Sequence, residues 1–206
     1  MMSPELEQKL CKSYPTLFKN TEYQFINCGD GWYPLIDAVS RVFVAHNSKI
    51  GAKQIIKNGD RLYFYHSQVD DFSSGVTLFA GLMSKAICEN CGALGNVYVI
   101  SESELFGTRC QQHADQEGFD ALLFEYFYAP EPGFGIGWSL IIRGVNQMSD
   151  FFREKLFMPD ANFSIDRQRD KLNIELIGDN EMMRGTLALA HAYAAMIDEH
   201  SGIPHS

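Results

Sequence analysis

Three cysteines and one histidine in the middle of the chain are spaced as ligands of a single metal ion. They follow the pattern Cys88-x2-Cys91-x18-Cys110-x2-His113. Zn²⁺ prefers four thiolate or imidazole ligands in a tetrahedron, and a Cys-x2-Cys pair followed by glycine lets two thiolates point at one ion. Because four protein ligands close the shell, the pattern favours a structural zinc ion over a catalytic one, which keeps a position for water.

The residues between and after the ligand pairs predict the elements that position them. Residues 97–100 and 105–107 are rich in strand-favouring side chains and flank a Ser/Glu segment, so they predict a β-hairpin. Cys110 and His113 lie three residues apart and therefore face the same way on the first turn of a helix, which Gly118 ends. The tight Cys-x2-Cys-Gly turn at 88–92, called the knuckle below, combines with the hairpin and the helix to predict a treble-clef-like zinc finger.

The chain before the finger predicts helices, with one strand. Periodic apolar residues and the positions of proline and glycine define these segments. In chain order we expect a helix at 3–11, a tight turn at 28–33, an amphipathic helix from Pro34, a strand at 61–67, a loop at 70–75 and a helix at 76–86.

Three sequence segments in this first half resemble a known family. They are CGDGWY at 28–33, the aromatic strand at 61–65, and CENCG at 88–92 followed by TRCQQH at 108–113. The combination is similar to a family of small uncharacterised proteins common in bacteriophage and prophage genomes, over residues 1–115. The resemblance implies zinc at the four ligands and a phage or prophage setting, and it implies no particular activity. This chain departs from the pattern by continuing for about ninety residues after His113.

The second half predicts helices and a further hairpin. We expect a buried strand within 119–128, a Pro/Gly-rich loop at 129–138 and a helix at 138–157. The loop lacks a complete phosphate-binding motif, and its aromatic residues Phe134 and Trp138 suggest a contact surface. The remaining segments are a hairpin of 163–167 with 172–176 and a helix at 181–200. That helix is apolar on much of its surface, so it either lies in the core or forms a homodimer.

The fold class predicted from these elements is α+β, because the strands form local hairpins separated by helices. Residues 1–118 form one predicted region that ends in the finger, and residues 119–206 form an acidic region packed against it. The 206-residue chain is long enough to bury a substantial core.

The charge distribution constrains the partners. The net charge is -9, with 10 Lys and Arg against 13 Asp and Glu in residues 1–118, and 7 against 13 in residues 119–206. Because nucleic-acid affinity depends on Lys and Arg contacts to phosphate, the acidic balance argues against general DNA or RNA binding. A local basic face on the finger, formed by Lys53, Lys57, Lys85 and Arg109, keeps that alternative open.

No stretch reaches the length and apolarity of a membrane helix, and residues 1–15 lack the pattern of a secretory signal. We therefore expect no membrane association and a location in the cytoplasm of a bacterial host. An odd number of cysteines, three of them with ligand spacing, fits metal binding in that compartment better than disulfides. Cys11 and Cys28 are predicted to be unreactive buried thiols.

Catalytic motifs are missing from the sequence. It contains no nucleophile elbow and no His-Glu-x-x-His pair. His191 lies within an apolar helix and is predicted to be a hydrogen-bonded core residue. The leading hypothesis is a non-enzymatic protein-interaction, inhibitor or regulatory factor whose acidic second half, with the loop from Phe134 to Trp138, binds another protein. The alternatives are a nucleic-acid-binding zinc finger and a zinc-dependent enzyme in which His113 or Cys110 leaves the metal.

Overall fold

The computed structural model confirms an α+β fold and describes residues 1–19, 26–100, 105–124, 130–158, 160–169 and 171–205. The α-helices are α1 (Pro4–Ser13), α2 (Tyr33–His46), α3 (Asp71–Met83), α4 (Gln111–Glu117), α5 (Ile136–Lys155) and α6 (Glu181–Ala194). The strands are β1 (Ile26–Asn27), β2 (Ala52–Asn58), β3 (Arg61–His66), β4 (Asn96–Ile100), β5 (Leu105–Arg109), β6 (Ala121–Phe124), β7 (Asn162–Gln168) and β8 (Lys171–Ile177).

Three small sheets are built mainly from local hairpins. Strand β1 pairs in parallel with β2, which pairs antiparallel with β3. The finger has an antiparallel sheet in the order β5-β4-β6, and β7 pairs with β8. None of the helices in these described parts combines the length and apolarity that a membrane span requires.

A helix, a hairpin and a second helix occur twice along the chain, as α2-β2-β3-α3 and as α5-β7-β8-α6. The first strands of the two hairpins start at Ala52 and Asn162, and α3 and α6 start at Asp71 and Glu181, so both pairs are 110 residues apart. The residue before each of these two helices is an N-cap whose side chain accepts a backbone N–H three residues later. The chain therefore contains two copies of one structural unit.

The two units meet where α3 crosses α6. A β-carbon placed on Gly75 would lie 1.8 Å from the carbonyl oxygen of Met182, and one placed on Gly185 would lie 2.0 Å from that of Phe72. Gly75 and Gly185 occupy equivalent positions in the two units, and so do Phe72 and Met182. Each glycine therefore contacts the same position of the opposite helix. Only glycine permits two helix backbones to approach this closely. One apolar core extends through both units, and its fully buried members include Trp32, Phe79, Phe152 and Tyr193.

The structure corrects several predicted element boundaries. Strand β2 was not predicted, because Lys53, Gln54 and Lys57 interrupt its apolar pattern and leave only Ile55 and Ile56 adjacent. Residues 70–75 were predicted as a loop, but α3 already begins at Asp71. Asp70 and Ser73 form a reciprocal capping box there, in which serine takes the place of the usual Glu or Gln.

The helix predicted at 181–200 ends at Ala194, and the chain then turns back on itself. Its apolar residues are covered within the same chain by α2, α3, α5 and β8. The apolar surface that suggested a homodimer is therefore explained by the core of this chain.

The Pro/Gly-rich loop predicted at 129–138 is shorter than expected. Helix α5 starts at Ile136, and Trp138 is only 6% exposed, so the interpretation of Phe134 to Trp138 as an exposed aromatic loop was wrong. The strand predicted within 119–128 is present as β6, and residues 125–129 lie outside the described residues.

Candidate metal centre

The four predicted ligands lie together in the structure. Their ligand atoms are all within 4.8 Å of one another. The Nδ1 atom of His113 is 3.2 Å from the Sγ of Cys110 and 3.5 Å from that of Cys88, and the Sγ atoms of Cys91 and Cys110 are 3.9 Å apart. A tetrahedral ion with metal–sulfur bonds of about 2.3 Å and metal–nitrogen bonds of about 2.0 Å needs donor separations of about 3.5–3.8 Å. The donor set therefore fits one metal ion.

Each ligand comes from an element that the sequence predicted. Cys88 and Cys91 lie on a tight knuckle, in which the N–H of Gly92 donates to the carbonyl of Cys88 at 2.9 Å. Gly92 has a φ of +79°, a backbone conformation that favours glycine. Cys110 is the N-cap residue of α4, and His113 lies in its first turn. Strands β4 and β5 connect the two pairs.

The glycine-rich turn at 29–32 supports the knuckle directly. The N–H of Gly31 donates to the carbonyl of Glu89 at 2.7 Å, and the indole N–H of Trp32 donates to the carbonyl of Ile87 at 2.8 Å. A β-carbon placed on Gly31 would lie 2.2 Å from the carbonyl oxygen of Cys88. The first segment of the CGDGWY and CENCG resemblance thus packs against the second.

A buried charge network lies behind the knuckle. Glu89 is 6% exposed, and its carboxylate accepts hydrogen bonds from Lys57 at 2.6 Å, Arg109 at 2.8 Å and the backbone of Gly29 at 3.1 Å. Arg109 also donates to Glu117 on α4 at 2.9 Å. Burial alone would raise the pKa of Glu89, but the hydrogen bonds and charges of Lys57 and Arg109 outweigh it and lower that pKa. The network joins the knuckle to the hairpin β2–β3 and to α4.

The Cys91 thiol lies beside two other sulfurs. Burial, together with the nearby Cys88 and Cys110 sulfurs, raises the pKa of Cys91 to about 12. Thiols with so high a pKa stay protonated at neutral pH, whereas a bound divalent ion deprotonates them. Burial likewise raises the pKa of Cys28 to about 12, and this thiol lies outside the ligand group, as does Cys11.

Other residues singled out by the sequence lie away from the centre or are already paired. His191 was predicted to be a hydrogen-bonded core residue, but it lies on the exposed side of α6; the hydrogen bond is present, because its Nε2 accepts the N–H of Ile174 at 3.3 Å. Of the four cations proposed as a basic face, Lys57 and Arg109 bind Glu89, and Lys85 binds Asp60 at 2.8 Å. Lys53 is exposed.

A second copy of the knuckle, without the cysteines, was missed by the sequence reasoning. Residues 197–204 (IDEHSGIP) correspond to 87–94 (ICENCGAL), and both backbones form the same turn. Asp198 and Ser201 occupy the positions of Cys88 and Cys91. Gly135 and Gly137 repeat the contacts of Gly29 and Gly31, since the N–H of Gly137 donates to the carbonyl of Glu199 at 2.8 Å. A search for internal repeats could have detected this signal, as Gly-x-Gly-Trp occurs at 29 and again at 135.

Comparisons of the chain with protein-family models, with curated proteins and with solved structures found no match.

Proposed function

We propose that Cys88, Cys91, Cys110 and His113 bind one structural Zn²⁺ and that the protein is a non-enzymatic interaction or regulatory factor. The observation that supports this most is the closed group of three sulfurs and one imidazole nitrogen. When bound, zinc would hold the four donors together and keep the thiols ionised. The chain's own residues do the rest: the turn at 29–32 and the Glu89 network orient the knuckle, and α4 orients Cys110 and His113.

The proposed partner is a basic protein that contacts the acidic second half. The second half carries 7 Lys and Arg against 13 Asp and Glu, and its exposed carboxylates include Asp150, Asp179 and Glu181, each of which also pairs with Arg153 or Arg184. Exposed charges of one sign attract a partner of the opposite sign and raise its association rate. A phage or prophage setting, which the sequence resemblance implies, is compatible with an inhibitor or regulator of a host protein.

The nucleic-acid alternative has less support from the site. Three of the four candidate cations are paired with carboxylates, and those pairs would have to be broken for phosphate contact. Fluorescence anisotropy with a labelled DNA duplex and a labelled RNA strand at low salt tests this point. We expect no saturable binding, and binding that weakens steeply with added salt would favour the alternative.

The zinc-enzyme alternative requires an open coordination position. We expect one zinc per chain by elemental analysis and an X-ray absorption spectrum fitted by three sulfurs and one nitrogen. A water or other light-atom ligand in place of Cys110 or His113 would favour an enzyme. Absence of a bound transition metal from protein purified without chelator would contradict the metal site itself.

The partner hypothesis is tested by affinity capture from a host lysate at low and high salt. The wild type is compared with an Asp179→Lys/Glu181→Lys variant, and Glu5→Lys, an exposed first-turn carboxylate of α1, serves as the control. We expect a captured protein that is lost on charge reversal in the second half and retained by the control. Capture that ignores the charge reversal would contradict binding through the acidic half.

A further inference from the structure

A groove in the first half runs between strand β3 and helix α3, on a surface that the proposed function does not use. Every residue of β3 lines one side of it, and Thr77, Leu78 and Gly81 of α3 line the other. Its volume is about 240 Å³, which is below the range of about 300–1,000 Å³ of small-molecule sites. A strand of this length extends over about 20 Å. The groove is therefore long and shallow, a shape that suits an extended chain better than a compact molecule.

The backbone of β3 is open on the side that faces the groove. Strand β3 lies at the edge of its sheet, which has the order β1-β2-β3. In an antiparallel pair, alternate residues direct their N–H and C=O groups towards the partner strand and away from it. Leu62 points away from β2, because its N–H donates to the Oγ of Ser84 at 2.9 Å. Phe64, two residues later, directs its N–H and C=O to the same edge, and within the described parts of the chain neither group has a partner there.

The second unit shows how this edge can be capped. Ile174 is the counterpart of Phe64, 110 residues later, and its N–H donates to the Nε2 of His191 at 3.3 Å. The counterpart of His191 in the first unit is Gly81, which has no side chain to offer. His191 reaches this backbone position from the exposed side of α6. A bound molecule can therefore reach the N–H of Phe64 by the equivalent approach.

The side chains of the groove provide apolar surface and one positive charge. Leu78 and Val69 are 38% and 73% exposed, and both line the groove. The side-chain carbons of Arg61 lie over Gly81, where a β-carbon would be 3.1 Å from Cδ. The guanidinium of Arg61 forms no ion pair with any residue that the structure describes, since the adjacent Asp60 binds Lys85 at 2.8 Å instead. Charge complementarity favours a carboxylate beside Arg61.

We propose that this groove binds an extended acidic segment of a partner protein, which adds to the sheet as a further strand along β3. The backbone of the segment pairs with the N–H and C=O of Phe64. Side chains of an added strand alternate between its two faces, so apolar residues contact Leu78 while the carboxylates between them face Arg61. Main-chain hydrogen bonds provide the affinity of such strand addition, and the alternate side chains provide its specificity.

The first test measures binding of a labelled peptide to the zinc-loaded, full-length protein by fluorescence anisotropy. The probe is a fluorescein-labelled hexapeptide of alternating valine and glutamate, and the control is the same peptide with lysine in place of glutamate. We expect the acidic peptide to bind saturably and the lysine peptide to bind at least about tenfold more weakly.

The second test locates the binding with backbone amide signals in a ¹H–¹⁵N correlation spectrum and uses the unlabelled acidic peptide. The amide signal of Phe64 should move to lower field and exchange more slowly with solvent, because its N–H gains an acceptor. The amide of Ile174 is already bonded to His191 and serves as the internal control, so its signal should stay unchanged.

Charge reversal separates recognition from loss of folding. Arg61→Glu should weaken binding of the acidic peptide by about tenfold or more and strengthen binding of the lysine peptide. Lys12→Glu is the control, because Lys12 is an exposed cation of α1 that does not line the groove, and it should leave both affinities unchanged.

Four results would each overturn the proposal. They are no saturable binding of the acidic peptide, equal binding of the two peptides to the wild type, equal shifts of the Phe64 and Ile174 signals, and unchanged affinities in Arg61→Glu. A homodimer that dissociates on Leu78→Asp would instead assign the groove to a second copy of this chain. Sedimentation of the wild type and of that variant detects this outcome.

Discussion

The backbone N–H of Gly31 donates a 2.7 Å hydrogen bond to the carbonyl of Glu89, the residue that follows the first ligand cysteine. This bond joins two segments that lie nearly sixty residues apart and that carry the family resemblance. The same bond recurs in the second unit between Gly137 and Glu199 at 2.8 Å. The turn and the knuckle therefore form one structural module, which occurs once with cysteines at 88 and 91 and once with Asp198 and Ser201 in their place.

Gly31→Ala should destabilise the protein by at least about 3 kcal/mol, because its β-carbon would lie 2.2 Å from the carbonyl oxygen of Cys88 and 2.4 Å from the amide nitrogen of Gly92. Urea unfolding followed by circular dichroism measures the effect. Gly51→Ala is the matched control, since its nearest neighbour would be 3.4 Å away, and it should change stability by less than about 1 kcal/mol. Equal effects at the two positions would contradict the close packing of the turn on the knuckle.

Cys91→Ser should abolish stoichiometric zinc binding and lower the free energy of unfolding by at least about 3 kcal/mol, because the binding energy of a structural metal contributes directly to folding. Chelator added to the wild type should lower its melting temperature in the same direction. Cys11→Ser removes a half-buried thiol outside the ligand group and should retain one zinc per chain. A Cys91→Ser protein with full zinc content would show that the sulfur is not a ligand.

Glu89→Gln should cost about 3–5 kcal/mol, because it leaves the buried guanidinium of Arg109 and the ammonium of Lys57 without their shared carboxylate. The comparison is Glu181→Gln, which removes one carboxylate of an ion pair that is about half exposed and should cost less than about 1 kcal/mol. Denaturant unfolding of both zinc-loaded variants gives the two values. Similar small losses would mean that the Glu89 network is not needed to hold the knuckle.

Gly185→Ala and Gly75→Ala should both be strongly destabilising, although alanine is the better helix former by about 1 kcal/mol. The added β-carbons would lie 2.0 and 1.8 Å from carbonyl oxygens of the opposite helix, so the helix pair must separate. Gly81→Ala, also in α3, is the control, because its nearest neighbour is a flexible arginine side chain at 3.1 Å. In thermal unfolding, Gly81→Ala should have a clearly higher melting temperature than the other two variants. A reversed order would contradict the close crossing of α3 and α6.

His191→Gln should make stability less dependent on pH below about 6.5. Burial lowers the pKa of His191 in the folded protein, so the unfolded chain binds the proton more readily. The stability of the wild type should therefore decrease as the pH falls through the unfolded pKa of about 6.5. The free energy of unfolding is measured for the wild type and the variant at pH 7.5, 6.5 and 5.5. The difference between the two proteins at each pH reports on His191, because both carry the same metal site and its contribution cancels. Parallel pH profiles would show that His191 does not titrate differently on folding.

The sequence by itself determined the group of three cysteines and one histidine and most of the elements around it. Ligand spacing is a local property, and the knuckle, the hairpin and α4 each follow from residues close together in the chain. Amphipathic periodicity was likewise sufficient for α2, α5 and the hairpin β7–β8. The start of α3 and the strand β2 were missed, because a serine in a capping box and lysines in a strand weaken the local patterns on which such predictions depend.

Tertiary structure decided how distant segments combine. The sequence records the repeated unit only in short matches such as Gly-x-Gly-Trp, since backbone hydrogen bonds and glycine contacts preserve its geometry while side chains such as Cys88 and Asp198 differ. The burial of Trp138 followed from the contacts of Gly135 and Gly137 with a turn more than sixty residues away. Long-range backbone approach of this kind depends on the space between elements, and a sequence pattern records only which residues permit it.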